Sequence, residues 1–346
     1  MALVFMDGFE TYGTNELLMK DGLYAEAEGS LGMTRVPTGT FSYHVDIGTP
    51  LRFVLPGDRQ TAGAGYAAWF DTLPVSSAGR AVIFDFRDHN NVSQVYLNVI
   101  TTGAIEAVRD GVQIGLSNPA ITAGAWQHLE ARVKVANSGG EVEVRVNGVT
   151  VLSLSGIDTQ AASSALASCG QIAMFSPVAV SAHSWYVDDF FVWDTTGSFN
   201  NGFLGDRRVV TDVANADTTI ADWVKSSGVL GYNLINEKPP DDNATYISAS
   251  SSAVGAKSAF VFGNVSSEVS SIAATQVVVR SIKDEAGPCS VQASILTAIN
   301  EALGAVKAIT SVWTFRWDIF EANPDTGAPW TVTELNATKI AVKRTA

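Results

Sequence analysis

The stretch from Tyr186 to Ser198, with the segment Phe203–Arg208 after it, constrains the fold more than any other part of the chain. It reads Tyr-Val-Asp-Asp-Phe-Phe-Val-Trp-Asp-Thr-Thr-Gly-Ser, an aromatic and aliphatic strand that stops at a polar turn. New β-rich sequence begins beyond it. The stretch therefore predicts the last strand of one β-sandwich and the start of another, in a chain that is all-β.

The clearest local signal is a three-stranded meander between Trp126 and Leu154. Polar and apolar residues alternate along Trp126–Val135 and again along Glu141–Val146. Asn147 and Gly148 then supply the positive φ angles of a two-residue turn. This pattern predicts antiparallel strands with one buried face and one solvent-exposed face, and it places His128 on the solvent-exposed face.

Composition excludes several function classes. The formal net charge of −13 disfavours binding to nucleic acid and to anionic membranes. No apolar run approaches the roughly 18 residues of a membrane span, and the first residues lack a signal-peptide pattern, so we expect synthesis in the cytoplasm. The two cysteines, Cys169 and Cys289, fall in different predicted domains, which excludes a disulfide framework.

A length of 346 residues fits two domains. We predict a sandwich over residues 1–197, a connector over 198–245, and a smaller antiparallel β-sandwich over 245–346 that serves docking and oligomerisation. Within the last domain, Leu296–Lys307 is ambiguous between a short helix and a hairpin arm, and strands are preferred.

Two resemblances refine this prediction. The strand Trp126–Glu130 with the hairpin at Asn147-Gly148-Val149 resembles the concanavalin A-like lectin/glucanase fold in its laminin-G-like form, which implies a jelly roll over the first 195 residues or so. The whole layout resembles structural proteins of tailed bacteriophages. The residues that carry this second resemblance are Phe5–Glu10, Val187–Gly197, Phe203–Val209 and Pro329–Thr331.

Paired acids on one strand face are the first candidate for chemistry. Glu141 and Glu143 have the arrangement that glycosidases use as general acid and nucleophile. Glycosidases with this jelly roll carry a third acid where Arg145 stands here, so a solvated strand face is the preferred interpretation.

Histidine clusters are the second candidate. His89 stands beside Asp85, Asp88 and Asn90, a grouping compatible with a metal or acid–base site, and a polar loop end is preferred. His128 and His183 complete no recognisable catalytic set. No catalytic, cofactor-binding or metal-binding residue is predicted.

Calcium is the alternative that the laminin-G-like resemblance leaves open, since such domains often hold Ca²⁺ through loop Asp and Asn residues. The acids considered are Asp188, Asp189, Asp206, Asp212, Asp217 and Asp222, whose spacing fits no EF-hand. The prediction is that no cofactor is bound.

Aromatic residues provide the last candidate, a carbohydrate-binding surface, with core packing as the preferred role. The residues considered are Trp69, Phe70, Trp185, Tyr186, Trp193, Trp313, Phe315 and Trp317.

Together these observations predict a non-enzymatic virion protein of a tailed phage, a capsid decoration or a tail or baseplate component. It would form a homo-oligomer, with a trimer expected, and dock on other virion proteins. A host-glycan-binding tail adhesin is the alternative, and a polysaccharide hydrolase is the third hypothesis.

Overall fold

The computed structural model describes residues 2–13, 19–32, 41–45, 48, 50–75, 80–176, 185–228, 230–250 and 252–346. They divide into two compact units, Ala2–Val210 and Thr211–Ala346. Regular structure in this part of the chain is almost entirely β, which confirms the predicted class. The exceptions include short 3₁₀ turns at Glu10–Tyr12 and Gly231–Leu234 and one five-residue helix.

The first unit is built from strands that pair antiparallel with their neighbours. They are β1 Leu3–Asp7, β2 Glu26–Ala27, β3 Ser30–Leu31, β4 Tyr43–Val45, β5 Leu51–Arg59, β6 Thr61–Phe70, β7 Ala81–Arg87, β8 Ser93–Val99, β9 Ala104–Arg109, β10 Val112–Pro119, β11 Trp126–Lys134, β12 Gly140–Val146, β13 Val149–Ile157, β14 Cys169–Phe175 and β15 Trp185–Asp194.

These strands form two sheets within the described residues. The eight-stranded sheet has the order β13-β12-β11-β6-β15-β4-β3, with β1 also paired to β15, and the seven-stranded sheet has the order β10-β9-β8-β7-β14-β5-β2. The two sheets pack face to face through aromatic rings. The Tyr66 and Phe84 ring centroids are 4.8 Å apart, and Phe5 stacks on Phe53 at 4.5 Å. The arrangement is the jelly-roll sandwich that the sequence predicts.

The predicted hairpins are confirmed. Asn147 and Gly148 have φ angles of 49° and 78°, and Asp110 and Gly111 have 50° and 76°. Both turns therefore have the two positive φ angles of a type I′ hairpin, which matches the twist of the flanking strands. Val142, Val144 and Val146 are buried between the sheets, as their alternation predicts.

The second unit contains β16 Ala214–Ala221, β17 Val224–Lys225, β18 Ile247–Ser248, β19 Lys257–Phe262, β20 Thr275–Ser281, β21 Ser290–Leu296, β22 Glu301–Ala308, β23 Thr314–Phe320, α1 Val332–Asn336 and β24 Lys339–Arg344. Its main sheet has the order β16-β19-β24-β21-β22, and β20 pairs with β23. The segment Leu296–Lys307 is a hairpin arm, as preferred. A core of Val277, Ala293, Ile295, Phe320 and Trp330 fills this smaller unit.

The stretch predicted as a connector is divided between the units. Residues 198–210 belong to the first unit, and β16 forms an edge of the second unit's main sheet. The other edge, β22, is protected by side chains of β23. Asp318 accepts a hydrogen bond from the Ala305 amide at 2.9 Å, and Arg316 donates to the Ala308 carbonyl at 2.8 Å. Such caps occupy backbone groups that would otherwise be open to another strand.

A buried carboxylate organises the start of the first unit. Asp7 accepts hydrogen bonds from the Phe9 amide at 2.8 Å, the Tyr12 hydroxyl at 2.5 Å and the Tyr24 hydroxyl at 2.9 Å. Burial raises the pKa of Asp7 from 3.8 to about 6, and the three donors offset only part of this effect.

We predict that Asp7 makes the first unit less stable as the pH rises from about 4 to about 6. The pKa of Asp7 is higher in the folded state than in the unfolded state. Its contribution to the free energy of unfolding is therefore fully present below the pKa of the unfolded state, and it is lost as the pH rises through the pKa of the folded state. The loss should reach at most ~3 kcal/mol. Thermal unfolding from pH 3.5 to 7 should show this dependence in the native protein and a flatter profile in Asp7→Asn.

Asp110→Asn is the matched control, because Asp110 is exposed and asparagine tolerates its positive φ. A profile as steep in Asp7→Asn as in the native protein would contradict the assignment.

Candidate functional site

The outer face of the eight-stranded sheet, which points away from the seven-stranded sheet, is set by the alternation along β6. Tyr66 and Phe70 point inward with Ala62, Ala64 and Ala68, and all five are buried. The alternate residues of β6 therefore lie on the outer face: Thr61, Gly63, Gly65, Ala67 and Trp69. Since β6 lies between β11 and β15, it fixes which of their side chains share this face.

Four ring-bearing side chains lie side by side at one end of the outer face. Trp126 of β11 is directly opposite Trp69 of β6, Trp69 is opposite Tyr186 of β15, and Tyr186 is opposite His44 of β4. All four are half-buried. At a strand separation of about 4.8 Å, this aromatic row extends about 14 Å across the strands.

Ring contacts and hydrogen bonds hold the aromatic row in place. The indoles of Trp69 and Trp126 have centroids 6.0 Å apart and are tilted by 57°. His44 and Tyr186 are stacked at 4.6 Å. The Trp69 indole N–H donates to Asp71 at 3.0 Å.

The middle of the outer face is apolar because two glycines leave room for aromatic rings. A Cβ at Gly63 would overlap the Trp193 indole, and a Cβ at Gly65 would overlap the Phe191 ring. Both rings therefore lie across β6. Trp193 in turn packs edge-on against Phe203, with centroids 5.6 Å apart.

Residues 203–209, here called the covering segment, occupy the end of the outer face opposite the aromatic row. Phe203 lies under the Arg145 guanidinium, 3.9 Å from its ring centroid. The amides of Leu204 and Gly205 donate to the Glu130 carboxylate at 2.7 and 3.1 Å. Burial raises the pKa of Glu130, and these two donors counteract the rise in part.

The prediction that one face of β11 is solvent-exposed is wrong where the covering segment lies on it. Glu130 is fully buried and His128 is 2% exposed, with its ring stacked on Phe191 at 5.9 Å. Asp189, with φ of 54°, accepts hydrogen bonds from the Val209 amide at 2.7 Å and from Arg208 at 3.2 Å. The physical reason is that residues read as a polar connector fold back onto the sheet.

Glu141 and Glu143 are both in ion pairs. Arg132 contacts each of them at 3.3 Å, and Arg145 contacts Glu143 at 2.8 Å. Lys134 lies 3.7 Å from Glu141. The two carboxylates belong to a ladder of alternating charges across β11 and β12, in which opposite charges on facing strands attract each other.

The residues around His89 do not converge on one site. His89 faces Asp58 at 3.3 Å, Asp85 accepts from Arg87 and Ser93, and Asp88 accepts from Ser164 and the Val92 amide. His183 lies outside the described residues. Cys169 is buried, which raises the pKa of its thiol to about 12, and it forms no disulfide with Cys289.

N–H donors contact several of the carboxylates that were considered as calcium ligands. Asp188 accepts from the Asp189 amide, Asp217 from Lys225 and two amides, and Asp222 from the Lys257 amide. Across the described ranges, no three His, Cys, Asp or Glu side chains are grouped to hold a metal ion.

The aromatic candidates separate into three groups. Trp69 and Tyr186 belong to the aromatic row, whereas Phe70, Trp185 and Trp193 are buried. Phe315 is buried in the second unit, where Arg280 lies over its ring and that of Trp313. Sequence reasoning missed Trp126 and His44 as members of the row, although their outward alternation on short strands was a usable signal.

Comparisons with known proteins bear on the fold alone. No family model and no curated protein sequence matches the chain. A structure titled "Sialidase" aligns over 56% of this chain and 19% of its own, with 14% identity and a TM-score of 0.40. Alginate lyase Aly36B aligns over 54% and 95%, with 13% identity and a TM-score of 0.37. A lectin, UEA-II, complexed with galactose, aligns over 55% and 98%, with 7% identity and a TM-score of 0.37.

These similar structures correct the prediction that the chain is not an enzyme, because their titles include a sialidase and alginate lyases. Two further titles name lectins, and none of these five titles names a virion protein. In the described part, no helix has the length and hydropathy required to cross a membrane.

We predict that Phe203→Ala loosens the covering segment. The substitution removes the contacts with Arg145 and Trp193, and should lower the unfolding free energy of the first unit by about 1–2 kcal/mol. Hydrogen exchange of the Leu204 and Gly205 amides should accelerate, since their bonds to Glu130 depend on the same segment. Val210→Ala, at a position that is 63% exposed, is the control. Unchanged exchange at both amides in Phe203→Ala would contradict this account.

Proposed function

We propose that the first unit is a glycan-binding module and that the aromatic row is its binding surface. The observation that carries the proposal is the register that aligns Trp126, Trp69, Tyr186 and His44 on four adjacent strands of one face. A single half-exposed aromatic residue is ordinary on a protein surface, but four in one row form a continuous surface.

The chemistry of the row suits a sugar. Pyranose rings have apolar C–H faces and polar edges, so they pack on aromatic ring faces while their hydroxyls take hydrogen bonds at the rim. Asp71 supplies a carboxylate beside Trp69, and Ser30 supplies a hydroxyl 3.4 Å from the Nδ1 of His44. The indoles of Trp69 and Trp126, with centroids 6.0 Å apart, are close enough for one pyranose ring to contact both.

This proposal takes up the alternative function predicted from the sequence, and it rests on the row rather than on the titles of similar structures. A place on a phage particle, and a trimeric assembly, remain predictions from the resemblance. A module of this kind on a virion would direct the row toward a host-surface glycan. Sequencing of purified particles by mass spectrometry tests that placement.

We predict that Trp69→Ala and Trp126→Ala each weaken glycan binding by about tenfold to a hundredfold, which corresponds to the loss of about 1.4–2.7 kcal/mol of aromatic contact. A glycan array identifies ligands of the native protein, and calorimetry then compares the variants. Tyr246→Ala is the control, because Tyr246 is 40% exposed and lies in the second unit.

Circular dichroism establishes that the variants remain folded. Full affinity in both tryptophan variants would place binding elsewhere and contradict the proposed surface. An array with no ligand at all for the native protein would contradict the function.

A further inference from the structure

We infer that Asn201 is a modification site, where spontaneous deamidation converts the residue to aspartate or isoaspartate and loosens the covering segment. The sequence contains two Asn-Gly pairs, Asn147-Gly148 and Asn201-Gly202. The second pair lies directly before the covering segment, which begins at Phe203. The reaction needs neither a ligand nor the aromatic row.

Deamidation of an Asn-Gly pair requires only water as a second reactant. The backbone nitrogen of Gly202 loses its proton to solvent and bonds to Cγ of Asn201, while the bond from Cγ to Nδ2 breaks. The Nδ2 nitrogen takes a proton from solvent and leaves as ammonia. Water then opens the cyclic imide at either carbonyl, which gives aspartate or isoaspartate. Glycine favours the first step because it has no Cβ beside the attacking nitrogen.

The structure leaves both reacting groups of the Asn201-Gly202 pair accessible. Asn201 is exposed and lies in irregular backbone after β15. Its Nδ2 donates to the Gly197 carbonyl at 2.9 Å, so this bond holds the leaving nitrogen and not the carbonyl that is attacked. Within the described residues, the Gly202 amide donates no hydrogen bond, and a Cβ on Gly202 would meet no atom within 4 Å. The nitrogen can therefore approach Cγ without breaking a backbone hydrogen bond.

The Asn147-Gly148 pair is also exposed, but two hydrogen bonds hold its asparagine. The Asn147 amide donates to the His128 carbonyl at 2.7 Å, and the Asn147 Oδ1 accepts from the His128 amide at 2.8 Å. Moving the side chain toward the Gly148 nitrogen breaks the second bond, and the pairing of β12 with β13 fixes the turn. We therefore expect Asn147 to convert at least about fivefold more slowly than Asn201, as the loss of one hydrogen bond implies.

Isoaspartate at position 201 changes the backbone that leads into the covering segment. The main chain gains one CH₂ group two residues before Phe203, whose ring centroid lies 3.9 Å from the Arg145 guanidinium and 5.6 Å from the Trp193 ring centroid. The two amide bonds to Glu130 that follow Phe203 depend on the same placement. Because the added group shifts Phe203 relative to these contacts, the covering segment is held less firmly.

The test is to incubate the full native chain at mildly alkaline pH and to follow both pairs by peptide mapping with mass spectrometry, which separates the asparagine, aspartate and isoaspartate forms. We expect conversion at Asn201 at least about fivefold faster than at Asn147. Both rates should increase as the pH rises, because the attacking nitrogen must lose a proton. Hydrogen exchange of the Leu204 and Gly205 amides should accelerate in the converted fraction.

Gly202→Ala is the matched control, because a Cβ fits at this position and its φ lies outside the left-handed region. It should slow conversion at Asn201 several-fold and leave conversion at Asn147 unchanged. Asn201→Asp adds the charge without lengthening the main chain, so it should leave exchange of the Leu204 and Gly205 amides nearly unchanged.

Conversion at Asn147 as fast as at Asn201, or no conversion at Asn201, would overturn the assignment of the site. Conversion to isoaspartate at Asn201 with unchanged exchange at Leu204 and Gly205 would overturn the loosening of the covering segment.

Discussion

The register of β6 against β11 and β15 is the constraint on which the first unit depends. Residues Thr61–Trp69 pair continuously with Lys134–Trp126, and β15 pairs along the other side of the same strand. A shift of one residue would turn Tyr66 and Phe70 away from the core and bring Trp69 into it. The buried aromatic contacts between Tyr66, Phe84 and Trp185 therefore hold the same register that aligns the aromatic row.

The outer face consequently has two ends with different roles. At one end, the covering segment and the ladder of charges on β11 and β12 satisfy Glu130, Glu141 and Glu143 within the protein. At the other end lie the four half-buried rings of the aromatic row, with the Asp71 carboxylate beside Trp69. Gly63 and Gly65 make this division possible, because they let Trp193 and Phe191 fill the space between the two ends.

Local patterns were sufficient to predict much of the fold. The alternation along β11–β13, the Asn147-Gly148 turn and the aromatic strand β15 predicted antiparallel strands of a β-sandwich, and each signal depends on neighbours in sequence. The jelly-roll arrangement itself was expected from the resemblance to concanavalin A-like proteins. The covering segment was missed because Gly205, Asp206 and the arginines after it read as a connector. Its docking depends on Phe203 meeting Arg145, which are distant in sequence.

The candidate site was predicted only in part for a similar reason. Trp69 and Tyr186 were recognised as aromatic candidates, but their alignment with Trp126 and His44 follows from the pairing of four strands that are far apart in the chain. Strand order and register are not contained in any single segment. The aromatic content of the sequence was therefore visible, whereas the surface that it forms required the structure.

The most direct test of this account is an NMR titration that follows the indole N–H signals of the eight tryptophans as a glycan ligand from the array is added. The account predicts that the signals of Trp69 and Trp126 shift in proportion to occupancy while those of the buried Trp185 and Trp193 stay in place. Shifts confined to the second unit's Trp313 or Trp317, with Trp69 and Trp126 unmoved, would contradict the central claim.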